Sequence, residues 1–268
     1  MSTATGHAPR SALLTAWANA WLNGDATLPE LVSRVTVADD EHRVAGLDAD
    51  ELPLDRAVGR LRATGVVRLR VVLPAPGDPL GLPGPGPFTA AALEAAEGVL
   101  ALRAAGTGDG RGLGLVPSVT THGSAFDGTV TTVRWTVHPV EVPAADPGPY
   151  LHDADHDLRT GLLACVRVLS DLDVARWRPE VAEALTDLRR EARRGVTDDE
   201  LPGGYPSGAR DLLVRARQLA AVLRLAAEDA GGAVDTRETA AREAALRELG
   251  RAVRRAHVAA YNAYRLPG

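Results

Sequence analysis

Apolar residues recur at helical spacing at the start of the chain, alternate with polar ones in its middle, and return to helical spacing over the last 120 or so positions. The first stripe runs through Leu13, Leu14, Trp17, Ala18 and Trp21 and is closed by Gly24, which predicts a helix. Thr27 and Glu30 have the spacing of a capping box and start a short helix through Leu31, Val32 and Val35. An acidic connector follows (Asp39, Asp40, Glu41, Asp48, Asp50, Glu51), and Pro53 opens a third helix that ends near Arg62.

The period then changes to two. Val67, Leu69, Val71 and Leu73 alternate with Arg68 and Arg70, which predicts a strand with one polar face. A proline- and glycine-rich loop, 74–87, leads to a helix with Thr89 as its N-cap and Phe88 packed on Leu93 as a hydrophobic staple. A second strand is expected over 113–119. A turn around Gly123 to Gly128 leads to a third, in which Val133, Trp135 and Val137 alternate with Arg134, Thr136 and His138. Strand, helix, strand reads as one crossover unit, so a small mixed three-stranded sheet is predicted.

Pro139, Pro143, Pro147 and Pro149 mark a boundary between an α/β domain, 1–143, and a helical domain, 147–268. Four seams at 3–4 spacing follow. They are Leu158, Leu162, Cys165, Leu169 and Leu172; Trp177, Val181, Leu185, Leu188 and Ala192; Leu212, Ala216, Leu219, Leu223 and Ala226; and Leu246, Leu249, Val253, Ala256, Ala260 and Ala263. Asp235 and Glu238 resemble a capping box for the last. Seams of this kind suit facing helices, so the expected class is α+β with a C-terminal antiparallel four-helix bundle.

Composition narrows the chemistry. All 30 cationic side chains are arginine, which removes every mechanism that needs a lysine: the phosphate-binding lysine of a P-loop, a Schiff base, a Ser–Lys dyad. One cysteine, Cys165, excludes an internal disulfide and a multi-cysteine metal site, and its seam position marks it as core filler. Aromatic residues are 4% of the chain and the net charge is −5, so neither base stacking nor phosphate neutralisation is favoured and no nucleic-acid partner is expected. Positions 174–268 carry 17 arginines against 14 acids, and the preceding part 13 against 21. The apolar run 11–22 is too short to span a bilayer and lacks a cationic lead, so no membrane association and a cytoplasmic location are expected.

The densest polar cluster is His152-Asp153-Ala154-Asp155-His156-Asp157. Two histidines four apart share a helix face. In an antiparallel bundle the start of the first helix lies beside the end of the last, which brings His257 and Tyr261 to the same end. His152, His156 and His257 are therefore the candidate metal ligands, with a divalent metal as the cofactor they would hold. Against this, the acids suit a helix start, the histidines flank the seam, and no H-E-x-x-H motif is present. A second candidate is a ligand or partner surface: Asp78 and Thr89 in the loop after the first strand, with Arg68, Arg70, Arg134 and His138 on one polar sheet face if their strands are close. The glycine run 106–114 precedes a strand rather than a helix and so lacks the context of a phosphate cradle. No G-x-S-x-G elbow supports a hydrolase triad. Tyr205 stands in a long loop as a packing or covering residue. The reading is a non-catalytic binding or assembly module with a protein partner or self-association, the alanine-rich face 252–263 meeting either the bundle or a second copy of the chain. The alternative is a metal-dependent hydrolase or isomerase.

Overall fold

In a computed structural model of the protein the described residues are 8–104, 112–124, 128–141, 148–171, 200–228 and 236–265. The chain divides into two compact units. Unit 1 is Met1–Pro147 with Asp198–Tyr205 and Tyr264–Gly268; unit 2 is Gly148–Thr197 with Pro206–Ala263.

Unit 1 contains helices α1 (Arg10–Leu22), α2 (Leu28–Val35), α3 (Leu54–Ala63) and α4 (Pro87–Ala95). Its strands are β1 (Glu41–Ala45), β2 (Leu52–Pro53), β3 (Val66–Val72), β4 (Gly98–Arg103), β5 (Gly112–Ser124) and β6 (Gly128–Val140). The sheet is mixed, with order β2-β1-β6-β5-β4-β3, and only β1 with β6 is parallel. Among the described residues the sheet therefore has six strands where the sequence suggested three. The β3-α4-β4 segment is not a parallel crossover, because β3 and β4 pair antiparallel with Leu69 opposite Ala101.

Helix α1 is buried on nearly every side, and Ser11, Thr15 and Asn19 are as buried as Leu14 and Ala16. A single stripe does not describe it. Asn19 is the reason the helix tolerates this: its Nδ2 donates to the Leu69 carbonyl at 2.9 Å and its Oδ1 accepts from the Leu69 N–H at 2.7 Å. Leu69 lies on β3, the last strand of the sheet, so the amide pair covers an otherwise open edge. Arg34 of α2 stands over the Trp17 ring and Arg62 of α3 over Trp21, at 5.7 and 5.2 Å. The Thr27–Glu30 capping box is formed in both directions.

On the opposite sheet face α4 packs Phe88 and Ala92 against Val72, Leu100, Val116 and Val140. Thr89 is not the N-cap. Gly86 is, and Thr89 sits inside the first turn with its hydroxyl donating to the Gly84 carbonyl. Phe88 enters the sheet rather than stapling the helix, because β5 leaves it room at Gly114.

In unit 2, helices α5 (Leu151–Asp171), α6 (Ser207–Glu228) and α7 (Thr236–Asn262) match the first, third and fourth predicted seams. Ala154, Leu158 and Cys165 of α5 share one core with Leu212 and Ala216 of α6 and Leu249, Val253 and Ala256 of α7. Gly161 faces Ala252 and Leu249 of α7. The second predicted seam, 177–192, and the Asp235 cap lie outside the described residues.

A Cβ built on Gly114 would stand 2.2 Å from Phe88, whereas one on Gly59 meets nothing within 4 Å. Gly114→Ala is expected to destabilise the protein by about 1–3 kcal/mol, as overpacked cores do. Gly59→Ala, in α3, should instead stabilise it by about 0.5–1 kcal/mol. Chemical denaturation of both variants measures the difference.

Candidate functional site

Unit 1 holds a cleft of about 800 Å³ between the end of α4 and the outer half of the β5–β6 hairpin. The hairpin is long because its two strands pair over 13 residues each, and β4 accompanies β5 only from Leu113 to Leu115. Beyond that point the helix end supplies Glu94, Ala95 and Glu97, and the hairpin supplies Val116 to Val119, Thr121, Thr131, Thr136 and His138. Arg10 and Ala38 close the far side.

The charges in this wall are unequally engaged. The Arg10 guanidinium makes a two-point contact with Asp39, Nε to Oδ2 at 2.8 Å and Nη2 to Oδ1 at 2.5 Å. Asp39 continues inward to His42 Nε2 at 3.0 Å, and the Trp135 indole N–H donates to His42 Nδ1 at 3.3 Å. The indole donor thus fixes the tautomer, with the proton on Nε2 facing the carboxylate. Burial holds His42 below its ordinary 6.5 despite the pull of Asp39. Burial would by itself raise Asp39, but the hydrogen bonds from Arg10 and His42 outweigh it and keep this carboxyl below 3.8. Glu97 presents Oε2 to the Ser11 N–H and hydroxyl at 2.8 and 2.7 Å, an anion at the start of α1. Glu94 is exposed and has no partner among the described residues. His138 Nε2 is buried without a hydrogen-bond partner among them, its ring tilted on Phe88 at 6.5 Å.

The residues singled out from the sequence are distributed differently. Arg68 and Arg70 lie on β3 and Arg134 and His138 on β6, with β4 and β5 between them. Three strand spacings are roughly 14 Å, so the four do not form one anion patch. Arg70 is buried, and Arg134 is held by Glu51 at 2.6 Å. Asp78 is also buried, in a tight turn where it and Ala75 exchange backbone hydrogen bonds. Only His138 of this set reaches the cleft. Tyr205 packs edge-on against Tyr264 with centroids 5.3 Å apart, and Tyr264 donates to Asp25. It serves packing.

In unit 2, α5 and α7 run antiparallel, so His152, His156 and His257 do fall at one end. His152 and His156 remain exposed, however, and the His257 ring pairs through Nδ1 with the Val253 carbonyl at 3.0 Å. Among the described residues no three His, Cys, Asp or Glu side chains gather closely enough to hold a metal ion. Asp155, between the two histidines, is engaged by Arg159 and by Arg215 at 2.5 Å. Among the described residues no helix is long and apolar enough to cross a membrane.

Two outcomes follow. Asp39→Ala leaves Arg10 and His42 without their shared anion and is expected to cost about 3 kcal/mol, read as a shifted denaturation midpoint. Burial, with Arg217 nearby, pushes the half-buried His257 down from 6.5 to about 4. The unfolded chain therefore takes up this proton first on acidification, so the contribution is complete above pH 6.5 and is lost as pH falls toward 4. Denaturation midpoints across that range should decline less steeply in His257→Gln than in the parent; equal slopes would contradict the assignment.

Comparison with known proteins agrees with the two-part organisation without supplying an activity. The chain is 27% identical over 250 residues to a Mycobacterium tuberculosis protein named uncharacterized protein Rv1486c, covering 81% of this chain and 82% of that one. It is 28% identical over 235 residues to uncharacterized protein MAV321 of Mycobacterium avium, covering 77% and 75%. No solved structure matches the chain. The N-terminal domain of the Rv1486c-like protein family matches residues 11–149 and its C-terminal domain residues 152–258, and the chain belongs to that family.

Proposed function

We propose that the protein is a non-catalytic protein-binding module whose partner occupies the cleft of unit 1. The observation that carries this reading is the cleft itself: about 800 Å³, bounded by hydroxyl side chains, an unpartnered carboxylate and an imidazole with an unused buried nitrogen. Orphaned polar atoms of this kind are costly unless a partner arrives to satisfy them. The wall also keeps apolar surface in view, with Val119 of the hairpin 45% exposed. Apolar area rimmed by directional polar groups is the usual make-up of a recognition surface.

A photo-crosslinking side chain at Ser118, exposed on the cleft wall, tests the reading against the same group at Arg56, exposed on α3. In the native host a discrete crosslinked protein is expected at position 118 and absent at 56. The same adducts at both positions, or none at 118, would remove the cleft from consideration.

A further inference from the structure

We infer that the partner binds as an extended, basic peptide segment that adds a strand to the outer edge of β5 beyond Pro117. This deepens the reading of the cleft as a protein-binding site and rests on it. The ladder between β5 and β6 runs without a register shift, with Pro117 opposite Trp135, Val119 opposite Val133 and Thr121 opposite Thr131. In an antiparallel pair the residues alternate between those bonded to each other and those whose amides point away. Two independent facts fix the phase. Pro117 has no N–H to give Trp135, so its pair is a non-bonded one. Thr131 directs its backbone to the other side: its carbonyl accepts from the Asp40 N–H at 2.9 Å and its N–H donates to Asp40 Oδ2 at 2.6 Å. The amides of Val119 and Thr121 consequently point outward, away from β6. Strand β4 ends its pairing at Leu115, and the Val119 and Thr121 backbones have no acceptor or donor on that side among the described residues.

The other sheet margins are protected at particular positions. β2 is two residues long, β3 is covered at Leu69 by Asn19, and β6 is capped at Thr131 by Asp40. At β5 the protection is a single proline, which blocks pairing at its own position and leaves two complete donor–acceptor sets beyond it. Open edges of this sort are templates for an added strand. The cleft lies along this edge. Charge selects the chemistry of the incoming segment. Arg10, a cation of the cleft wall, is already neutralised by Asp39, whereas Glu94 is unpartnered and Glu97 uses only one oxygen. A strand laid on β5 alternates its side chains between the two faces, so basic residues at every second position would face the side of Glu94 and Glu97.

The experiment uses the full chain and a terminally capped hexapeptide of alternating arginine and threonine. Its controls are the glutamate–threonine peptide and an arginine–threonine peptide N-methylated at alternate residues. Saturable binding is expected for the first alone, with slowed amide exchange at Val119 and Thr121. Glu94→Gln should weaken it about threefold, the scale of a solvent-screened ion pair. Val119→Pro removes an outward N–H without touching the β6 ladder and should weaken it at least about tenfold, since two edge hydrogen bonds are lost or displaced. Binding that survives N-methylation or Val119→Pro, or a preference for the acidic peptide, would overturn strand addition. Should the peptide perturb other cleft residues without protecting Val119 and Thr121, the cleft would stand as a binding site and the strand mode would fall. Protection of both amides without peptide, rising with protein concentration, would assign the edge to a second copy of the chain instead. No response anywhere in the cleft, with no crosslink at 118, would remove both readings together.

Discussion

Unit 1 depends on the partners found for polar groups that α1 buries or half-buries, Arg10, Ser11 and Asn19, although the enclosed Thr15 hydroxyl has none among the described residues. A helix enclosed on nearly all sides needs an apolar surface or hydrogen-bond partners for its polar groups, and α1 uses both. Leu14, Ala16 and Trp17 supply the first. The second comes from distant parts of the chain: Arg10 meets Asp39, Ser11 meets Glu97, and Asn19 meets the backbone of Leu69. Each contact joins α1 to a different segment, so together they fix both its position along the sheet and its rotation. The Arg10–Asp39 pair also anchors the entry to β1, because Asp39 reaches His42 and His42 reaches Trp135. One guanidinium at the cleft wall is thereby linked through three further side chains to the centre of the sheet.

That linkage decides what the cleft presents. With Arg10 committed to Asp39, the wall is left with carboxylates, hydroxyls and an imidazole. The same economy applies to the backbone: Asn19 and Asp40 cover the sheet where the chain passes close to it, and β5 is uncovered where β4 stops short. The open edge here follows from a difference in strand length, 6 residues in β4 against 13 in β5.

Much of the architecture was legible because local pattern and final environment agree. The three seams of unit 2 report surfaces that are half buried, which is what periodicity encodes, and the Thr27–Glu30 cap is local. The alternation of Val67 to Leu73 located β3, but its expected polar face is not one, since Arg70 and Val72 are buried and Val67 is exposed. Periodicity failed where both faces of an element are covered or neither is. β4 reads Val99-Leu100-Ala101-Leu102, an apolar run that merges with the preceding alanine-rich helix. The stop between them is Ala96 in the left-handed conformation, where a glycine would have announced the turn. β1 was hidden within acidic residues, since only His42 and Val44 of its five positions are buried. His138 was marked by its type, but Glu94, Glu97 and the edge of β5 were not. They become a site only through the register of β4 on β5 and the path of α1, and neither leaves a trace in any short window of sequence.

Two imidazoles of unit 1, those of His42 and His138, divide the properties a catalytic histidine must combine. His42 is oriented at both nitrogens, by Asp39 and by Trp135, but its side chain is fully enclosed and no substrate can approach it. His138 lies on the cleft wall, yet its buried Nε2 has no group to orient it. General acid–base chemistry needs access and orientation in the same ring, with the proton directed at a reacting atom. Recognition asks less. An unpartnered ring nitrogen beside an open strand edge is satisfied by a donor that arrives with the ligand, and the surrounding hydroxyls need only accept or donate as the ligand requires. The separation of the two properties in these rings suits the proposed interface, whose selectivity on that proposal rests on the backbone of β5 and the carboxylates beside it rather than on any single reactive side chain.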